Sequence, residues 1–320
     1  MSAPFFSVII PVYNRAHALA RAIESVRAQS CQDFEIVVVD DGSKDDARAV
    51  AESFGDPRIR FIRQENEGGG VARNTAIDHA VGRYIAPLDS DDVFLPHHLA
   101  EMKLLLDGTE KLAGYARVIV DRGDGKTFLK PPRAIRAGED MGEYLLAERG
   151  FVPTITVVVP REIAAKVRYH VNLRPAEDTD FAMRLALAGV RFVMAELPGA
   201  IWQDIADPKR TSASTGSLRF ATWLRLMRPR MTARAFYGAR GWALAKLIRG
   251  ERGRLAALPL TLGAILRGCY TPRLAVVVLL QVLLDARQYR LLADTAIKWL
   301  HVGLREDEIT PAPAHKAEPA

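Results

Sequence analysis

Four short apolar segments in the first 100 residues each end at polar residues, and segments with helical spacing separate them. The four segments cover residues 6–12, 34–39, 59–63 and 84–88, and each is predicted to form a strand. The second is rich in β-branched residues, as strands buried on both faces usually are. Strands that alternate with helices form a parallel sheet covered by helices on both faces, so the sequence predicts an α/β fold.

Helices are predicted between these strands. The first runs through about Gln29, the second to about Phe54, and the third covers about residues 71–80. Asn14 is predicted to cap the first helix, because its side chain can accept hydrogen bonds from the unpaired N–H groups of a first turn.

The middle of the chain has a less regular pattern. Residues 112–120 and 127–129 are predicted to form a hairpin. Residues 154–159 and 190–197 read as strands, and 178–188 as an amphipathic helix.

Polar residues follow three of the predicted strands directly. They are Tyr13 and Asn14, then Asp40 and Asp41, then residues 89–92. Ligands of open parallel sheets bind at the carboxyl ends of the strands. The order and spacing therefore predict a binding site at this edge of the sheet.

Asp89 and Asp91 are one residue apart on a turn after a buried strand. Two carboxylates so placed can converge on one hard cation, and oxygen ligands suit Mg²⁺ or Mn²⁺. Such an ion can bridge the phosphates of a nucleotide sugar and stabilise the departing diphosphate. A solvated acidic turn would show the same short pattern.

The turn that begins at Asp40 and Asp41 continues with Gly42 and Ser43. A carboxylate at a strand end can accept a hydrogen bond from the ring N–H of a uracil, and Gly42 permits close approach to a ligand. An ordinary turn also fits this sequence.

Two further segments carry candidate residues. Glu177 and Asp178 open the amphipathic helix, where Asp178 could act as a general base or only as a helix cap. The glycines of residues 68–70 precede a helix that contains Arg73, and their N–H groups could approach phosphates. A flexible connection is the alternative.

In chain order, these segments resemble the family 2 glycosyltransferases, which have the GT-A fold, a Rossmann-like α/β domain. The resemblance is carried by Ser-Val-Ile-Ile-Pro-Val-Tyr-Asn (7–14), Val-Val-Asp-Asp-Gly-Ser (38–43), Gly-Val-Ala-Arg-Asn (70–74), Gly-Arg-Tyr-Ile-Ala-Pro-Leu-Asp-Ser-Asp-Asp (82–92) and Glu-Asp (177–178). It covers about the first 215 residues and is most specific in the first 100. It implies an inverting, metal-dependent transfer of a sugar from a nucleotide diphosphate to an acceptor hydroxyl.

The resemblance implies a nucleotide site built from Pro11, Val12, Asp40, Asp41 and Arg73. Pro11 and Val12 would line the nucleotide. Asp41 would contact uracil and Asp40 would support it, which favours UDP as the carrier over dTDP or GDP.

The resemblance also implies the metal and the base. Asp89 and Asp91 would bind Mn²⁺ or Mg²⁺, with Asp91 as the direct ligand and Asp89 also beside the nucleotide. Asp178 would take the proton from the acceptor hydroxyl as it attacks the anomeric carbon.

The chain departs from the pattern of processive members. The motif Gln-X-X-Arg-Trp is absent after the predicted base, although Trp202, Gln203, Lys209 and Arg210 lie in the matching region. Transfer of a single sugar is therefore expected. Lys209 or Arg210 could close over the diphosphate or lie in a solvated loop.

The C-terminal part is helical in pattern and basic. From Gly216 onward there are 17 Lys and Arg against 7 Asp and Glu, whereas the preceding part has 27 against 31. Tryptophans and phenylalanines are interleaved with the arginines, which is typical of helices on an anionic membrane surface. Nucleic acid is not expected as the partner, because no recognition motif appears. A helical cap with solvated arginines is the alternative.

These patterns predict three parts. Residues 1–215 would form the GT-A catalytic domain, 216–309 a basic helical membrane-associating region, and 310–320 a disordered tail. No segment has the roughly 18–20 apolar residues of a membrane span, and the N-terminus does not resemble a signal peptide. With two distant cysteines, Cys31 and Cys269, we expect a cytoplasmic protein held at the inner face of the cytoplasmic membrane.

The expected acceptor is a lipid-linked oligosaccharide in bacterial exopolysaccharide or surface polysaccharide biosynthesis. Competing interpretations are a non-catalytic nucleotide-sugar binding module, a membrane-surface scaffold and a nucleotidyltransferase. The last usually has a glycine-rich basic loop after its first strand, where this chain has Tyr13, Asn14 and Arg15. The sequence does not determine the donor sugar, the linkage or the oligomeric state.

Overall fold

The computed structural model describes residues 3–123, 127–171, 173, 176–204, 216–285, 288, 289, 291 and 292. Its strands are β1 (Phe6–Val12), β2 (Phe34–Asp41), β3 (Ile59–Gln64), β4 (Tyr84–Pro87), β5 (Val93–Phe94), β6 (Leu112–Tyr115), β7 (Val118–Asp121), β8 (Thr127–Lys130), β9 (Val159–Pro160), β10 (Arg191–Met194) and β11 (Ala200–Gln203). Its helices are α1 (Ala16–Arg27), α2 (Ala47–Ser53), α3 (Gly69–His79), α4 (His98–Leu106), α5 (Met141–Leu146), α6 (Arg161–Val167), α7 (Glu177–Leu187), α8 (Ser217–Met227), α9 (Ala233–Ala239), α10 (Ala245–Arg252), α11 (Arg254–Leu266) and α12 (Pro272–Leu283).

The central sheet has the strand order β3-β2-β1-β4-β9. The first four strands run parallel, and the short β9 pairs antiparallel with β4. A second sheet has the order β5-β11-β7-β8, and β6 and β10 form a two-stranded sheet. The predicted parallel α/β sheet is confirmed. Strand β2 extends two residues beyond its predicted end.

Side chains of β1 alternate between two hydrophobic clusters because successive residues of a strand point to opposite faces. Phe6, Val8 and Ile10 lie in the cluster that includes Leu19 of α1. Ile9 lies in the other cluster, which includes helix α3 and helices from the C-terminal part. Both faces of the sheet are therefore covered, which explains the nearly continuous apolar strands.

The middle of the chain differs from its predicted pattern. The predicted strand at residues 154–159 is wrong for its first half, because Thr154–Thr156 form a 3₁₀ turn. The predicted strand at 112–120 divides into β6 and β7, which lie in different sheets. β7 does pair antiparallel with β8, as the predicted hairpin requires. The strand propensity of the residues does not predict these differences, because the pairing of strands in the folded protein decides them.

The predicted helical pattern after residue 216 is confirmed, and its first helix packs into the core. Phe220 and Trp223 of α8 belong to the same buried cluster as Ile9 and Phe181. The indole Nε1 of Trp223 donates a 2.7 Å hydrogen bond to Oδ1 of Asp180 in α7. The predicted boundary at 215 and the predicted tail 310–320 fall outside the described residues.

Trp223→Phe tests this docking contact. The change keeps an aromatic ring but leaves the buried Asp180 without its indole donor, which costs about 1–3 kcal/mol. Urea unfolding should show that loss in the free energy of unfolding. The matched control is Trp242→Phe, whose Nε1 binds the neutral Gln281 at 2.8 Å and which should lose less. Equal losses in the two variants would contradict a special role for the Asp180 contact.

Candidate active site

The loops after β1 and β2 are joined by reciprocal hydrogen bonds. The backbone N–H of Asn14 donates to Oγ of Ser43 at 2.9 Å, and the N–H of Lys44 donates to Oδ1 of Asn14 at 2.7 Å. The prediction that Asn14 caps α1 is wrong. Asn14 has φ +51°, so its side chain turns to the neighbouring loop, and Asp45 accepts from the N–H of Ala16 instead, at 2.8 Å.

Asp40 lies at the end of β2 beside the end of β1. It pairs in register with Val12, and Val39 pairs with Pro11. Asp40 is fully buried, accepts a 2.9 Å bond from the N–H of Ser43 and forms a 3.2 Å ion pair with Arg63. It therefore holds the turn in shape, while Pro11 remains half-buried at the strand end.

Asp41 connects β2 to the loop before α3. Its carboxylate accepts from the amide of Gln64 at 2.8 Å and from the N–H groups of Glu67 and Gly68 at 3.0 and 2.8 Å. These three donors fix the Asp41 carboxylate against the loop before α3. The assigned contact with uracil stays a prediction.

The glycines at the start of α3 allow close packing within the protein. Gly68 has φ +96°, a conformation that favours glycine. A Cβ on Gly70 would lie 3.0 Å from the carbonyl oxygen of His170. Gly70 is thus in close contact with the backbone of His170, and an approach of these glycines to phosphates stays a prediction.

Arg73 of α3 joins the predicted metal turn to the predicted base helix. Nη2 donates to Oδ1 of Asp89 at 2.6 Å, and Nη1 donates to Oε2 of Glu177 at 3.2 Å. The guanidinium lies 5.4 Å from the ring centre of Tyr169. Burial alone would lower the pKa of Arg73, but Asp89, Glu177 and Asp178 raise it above its usual value.

The side chains of Asp89 and Asp91 remain 35% and 25% exposed at this edge. Arg15 forms an ion pair with Oδ2 of Asp91. Asp92 is buried and accepts a 2.8 Å bond from the N–H of Gln203. This bond ties the acidic turn to β11 and so to the second sheet.

The donor set fits a divalent cation bound together with a diphosphate. Within the described residues, no group of three or more acidic, histidine or cysteine side chains could hold a metal ion. Mg²⁺ commonly uses one or two carboxylates and completes its shell with phosphates and water. Asp89 and Asp91 match that number and chemistry.

Asp178 is half-buried in the first turn of α7. Burial raises the pKa of its carboxyl, and the charge of Asp89 raises it further. The charge of Arg73 and a hydrogen bond from Thr154 act in the opposite direction. The result is a carboxylate that is a stronger base than an exposed aspartate.

Three residues of this arrangement were missed by sequence reasoning. They are Arg15, Thr154 and Tyr169, whose partners lie far away in sequence. Tyr169 is held in place by Asn74 of the Gly-Val-Ala-Arg-Asn segment, through bonds of 2.8 and 2.9 Å between the Asn74 amide and the Tyr169 backbone. Lys209 and Arg210 lie outside the described residues, so their proposed closure over the diphosphate stays a prediction.

The sequence model described as glycosyl transferase family 2 matches residues 7–164. The amylovoran biosynthesis glycosyltransferase AmsB of Erwinia amylovora is 30% identical over 253 residues, which are 75% of this chain and 83% of AmsB. Three uncharacterized glycosyltransferases of Rickettsia species are matched over only 33%, 15% and 30% of their own length.

Two solved structures share the fold at low sequence identity. TarS 1-349 of S. aureus, in complex with UDP-GlcNAc, has a TM-score of 0.60 at 18% identity, with 92% of both chains covered. The mannosyltransferase PcManGT of Pyrobaculum calidifontis, in complex with GDP-Man and Mn²⁺, has a TM-score of 0.52 at 18% identity, with 94% of this chain and 81% of PcManGT covered. The match to AmsB over most of both chains, together with the family match, shows that this chain belongs to glycosyl transferase family 2 and is a glycosyltransferase with a GT-A fold.

Proposed function

We propose that this glycosyltransferase transfers a single sugar from a UDP-sugar to an acceptor hydroxyl with inversion of the anomeric configuration. The observation that carries the proposal is the position of Asp178. This half-buried acid has a raised pKa and is linked through Arg73 to Asp89 of the predicted metal turn.

In the proposed reaction, Asp178 accepts the proton of the acceptor hydroxyl while that oxygen attacks the anomeric carbon. The attack comes from the face opposite the diphosphate, so one displacement inverts the configuration and no covalent enzyme intermediate forms. Arg73 holds Asp89 and Glu177 on either side of this centre. Thr154 orients Asp178 through its hydroxyl.

Asp89 and Asp91 are the residues that would hold Mn²⁺ or Mg²⁺, and the bound ion would stabilise negative charge on the leaving diphosphate. Fold likeness to a protein in complex with GDP-Man and Mn²⁺ supports this assignment. UDP is the proposed carrier because Asp41 lies at a strand end beside the expected base site. Likeness to TarS in complex with UDP-GlcNAc supports it too.

The proposed acceptor is a lipid-linked oligosaccharide in bacterial exopolysaccharide or surface polysaccharide biosynthesis. The relationship to AmsB, a glycosyltransferase of amylovoran biosynthesis, supports this pathway. The absence of the Gln-X-X-Arg-Trp motif from the sequence supports transfer of one sugar rather than polymerisation.

We also infer that the C-terminal helices attach to the inner face of the cytoplasmic membrane. Among the described residues, no helix combines the length and apolarity needed to cross a bilayer. Leu255, Leu262 and Leu266 lie on one face of α11 and are 87%, 43% and 87% exposed. Arg254 and Arg267 flank this stripe and are exposed. Exposed leucines bordered by arginines suit an anionic lipid surface.

Calorimetric titration with UDP tests the nucleotide and metal assignments. Wild type should bind UDP in the presence of Mn²⁺ and much more weakly in EDTA. Asp91→Ala should weaken Mn²⁺-dependent binding at least about tenfold, or about 1.4 kcal/mol. Asp178→Asn is the matched control, since it should keep UDP binding and lose about 10²- to 10⁴-fold in transfer rate. Absence of UDP binding with any metal would disprove the carrier, and dTDP and GDP would be tested next.

The pH dependence of transfer tests the proposed base. Because burial raises the pKa of Asp178 above its usual 3.8, kcat/KM should rise with pH along an acidic limb centred above that value. Thr154→Val removes a bond that favours the carboxylate, so the midpoint should move up by about 0.5–1 pH unit. Thr156→Val is the control, because the Thr156 hydroxyl bonds to the backbone of Ala116. Equal midpoints for wild type and Thr154→Val would contradict the role of Thr154.

Sedimentation with phosphatidylglycerol vesicles at physiological salt tests membrane attachment. Leu255→Gln and Leu266→Gln should each lower vesicle binding about tenfold, as expected for loss of one inserted leucine. Leu104→Gln is the control, because Leu104 is 81% exposed but lies on α4. A full-length protein that stays in solution with these vesicles would show the membrane proposal to be wrong.

A further inference from the structure

Three cationic side chains, from β8, the segment after α5 and α10, are near enough for their charges to interact. Lys130 ends β8, Arg149 follows α5, and Lys246 is in α10. The charge of Arg149 acts on both lysines, and the charge of Lys246 also acts on Lys130. We call Lys130, Arg149 and Lys246 the cationic cluster.

Aromatic rings line the cationic cluster. Nζ of Lys130 lies 5.1 Å from the ring centre of Trp202, and Cζ of Arg149 lies 5.4 Å from that of Trp242. Trp202 in turn lies 5.9 Å from Phe151, centre to centre. Lys130 and Arg149 are therefore each positioned against an aromatic ring.

Among the residues that the structure describes, the side chains of Lys130, Arg149 and Lys246 form no hydrogen bond or ion pair. Asp204, whose charge acts on Lys130, forms a 3.7 Å ion pair with Arg122. In contrast, Arg133 and Arg234 each form ion pairs with two glutamates from α5 or the residues next to it.

Holding these cations together is electrostatically unfavourable. Burial and the charge of Arg149 lower the pKa of Lys130 to about 8. Desolvation by the surrounding protein lowers the pKa of Lys246, and the charges of Arg149 and Arg249 lower it further. The Lys246 side chain still reaches solvent. A bound anion would relieve this repulsion and restore both pKa values.

Arg149 also has an unfavourable backbone conformation. Its φ of +56° lies in the left-handed region, where glycine is preferred after a helix. A large charged residue at such a position indicates a role for its side chain.

The cationic cluster adjoins the candidate active site through two short connections. Arg149 is followed by Phe151 and then by Thr154, which bonds to Asp178. Trp202 is followed by Gln203, whose N–H binds the acidic turn. Both connections therefore run from the cluster to residues that contact the proposed base or the predicted metal turn.

We propose that the cationic cluster binds a phosphate or diphosphate ester carried by the acceptor substrate. Lysine and arginine are the side chains that bind phosphate oxygens most strongly, through charge-assisted hydrogen bonds. The inference rests on the proposed function in one respect, since Asp89 and Asp91 are assigned to the diphosphate of the donor. A phosphate at the cluster would anchor the acceptor while its hydroxyl reaches Asp178.

Binding of inorganic pyrophosphate to the full-length protein in EDTA tests the cluster apart from the metal site. Lys130→Gln and Arg149→Gly should each weaken binding at least about tenfold. Arg225→Gln, which removes an exposed charge from α8, is the charge-matched control and should bind like wild type. EDTA removes the metal that the proposed UDP site requires, so failure of the nucleotide proposal would not be mistaken for failure of this one.

Arg149→Gly distinguishes binding from folding, because glycine suits the left-handed conformation. Its melting temperature should equal or exceed that of wild type while pyrophosphate binding falls. Wild-type affinity in both cluster variants, or no binding by wild type at millimolar pyrophosphate, would overturn the proposal. If the cluster variants also lost binding to phosphatidylglycerol vesicles, the phosphate would belong to membrane lipid and the acceptor assignment would be wrong.

Discussion

The buried guanidinium of Arg73 joins the two acidic segments of the proposed catalytic centre. It contacts Asp89 after β4 and Glu177 at the start of α7, 104 residues farther along the chain than Arg73 itself. Removing one partner of a buried ion pair typically costs about 3–5 kcal/mol, because the other charge is left uncompensated. The same contacts that stabilise Arg73 therefore set the position of Asp89 and of the helix that carries Asp178.

A buried carboxylate, that of Asp180, connects this centre to the C-terminal helices. Asp180 lies two residues after Asp178. Its carboxylate accepts hydrogen bonds from Trp223 of α8 and from Arg184 of its own helix. The C-terminal helices are thus packed against the helix that carries the proposed base, and they also contribute Lys246 to the cationic cluster. Leu247 and Ile248 of α10, the helix that carries Lys246, pack against the same hydrophobic cluster as Phe181 of α7.

Much of the fold and of the candidate site was predictable from local pattern. The β1 to β4 strands are apolar runs that end in polar residues, and Asp40, Asp41, Asp89 and Asp91 lie at the predicted edge of the sheet. Predictions failed where a side chain had a distant alternative partner. Asn14 binds the loop after β2 instead of capping α1, and residues 154–156 form a 3₁₀ turn in which Thr154 bonds to Asp178.

The sequence alone determined the parallel sheet, its carboxyl edge and the family, because hydrophobic period and motif order are local properties of the chain. Only the tertiary structure decided which charges meet. The contacts of Arg15 with Asp91 and of Arg73 with Glu177 join residues far apart in sequence, as does the gathering of Lys130, Arg149 and Lys246. Local pattern carries no signal for such pairs, since they depend on how strands and helices pack in three dimensions.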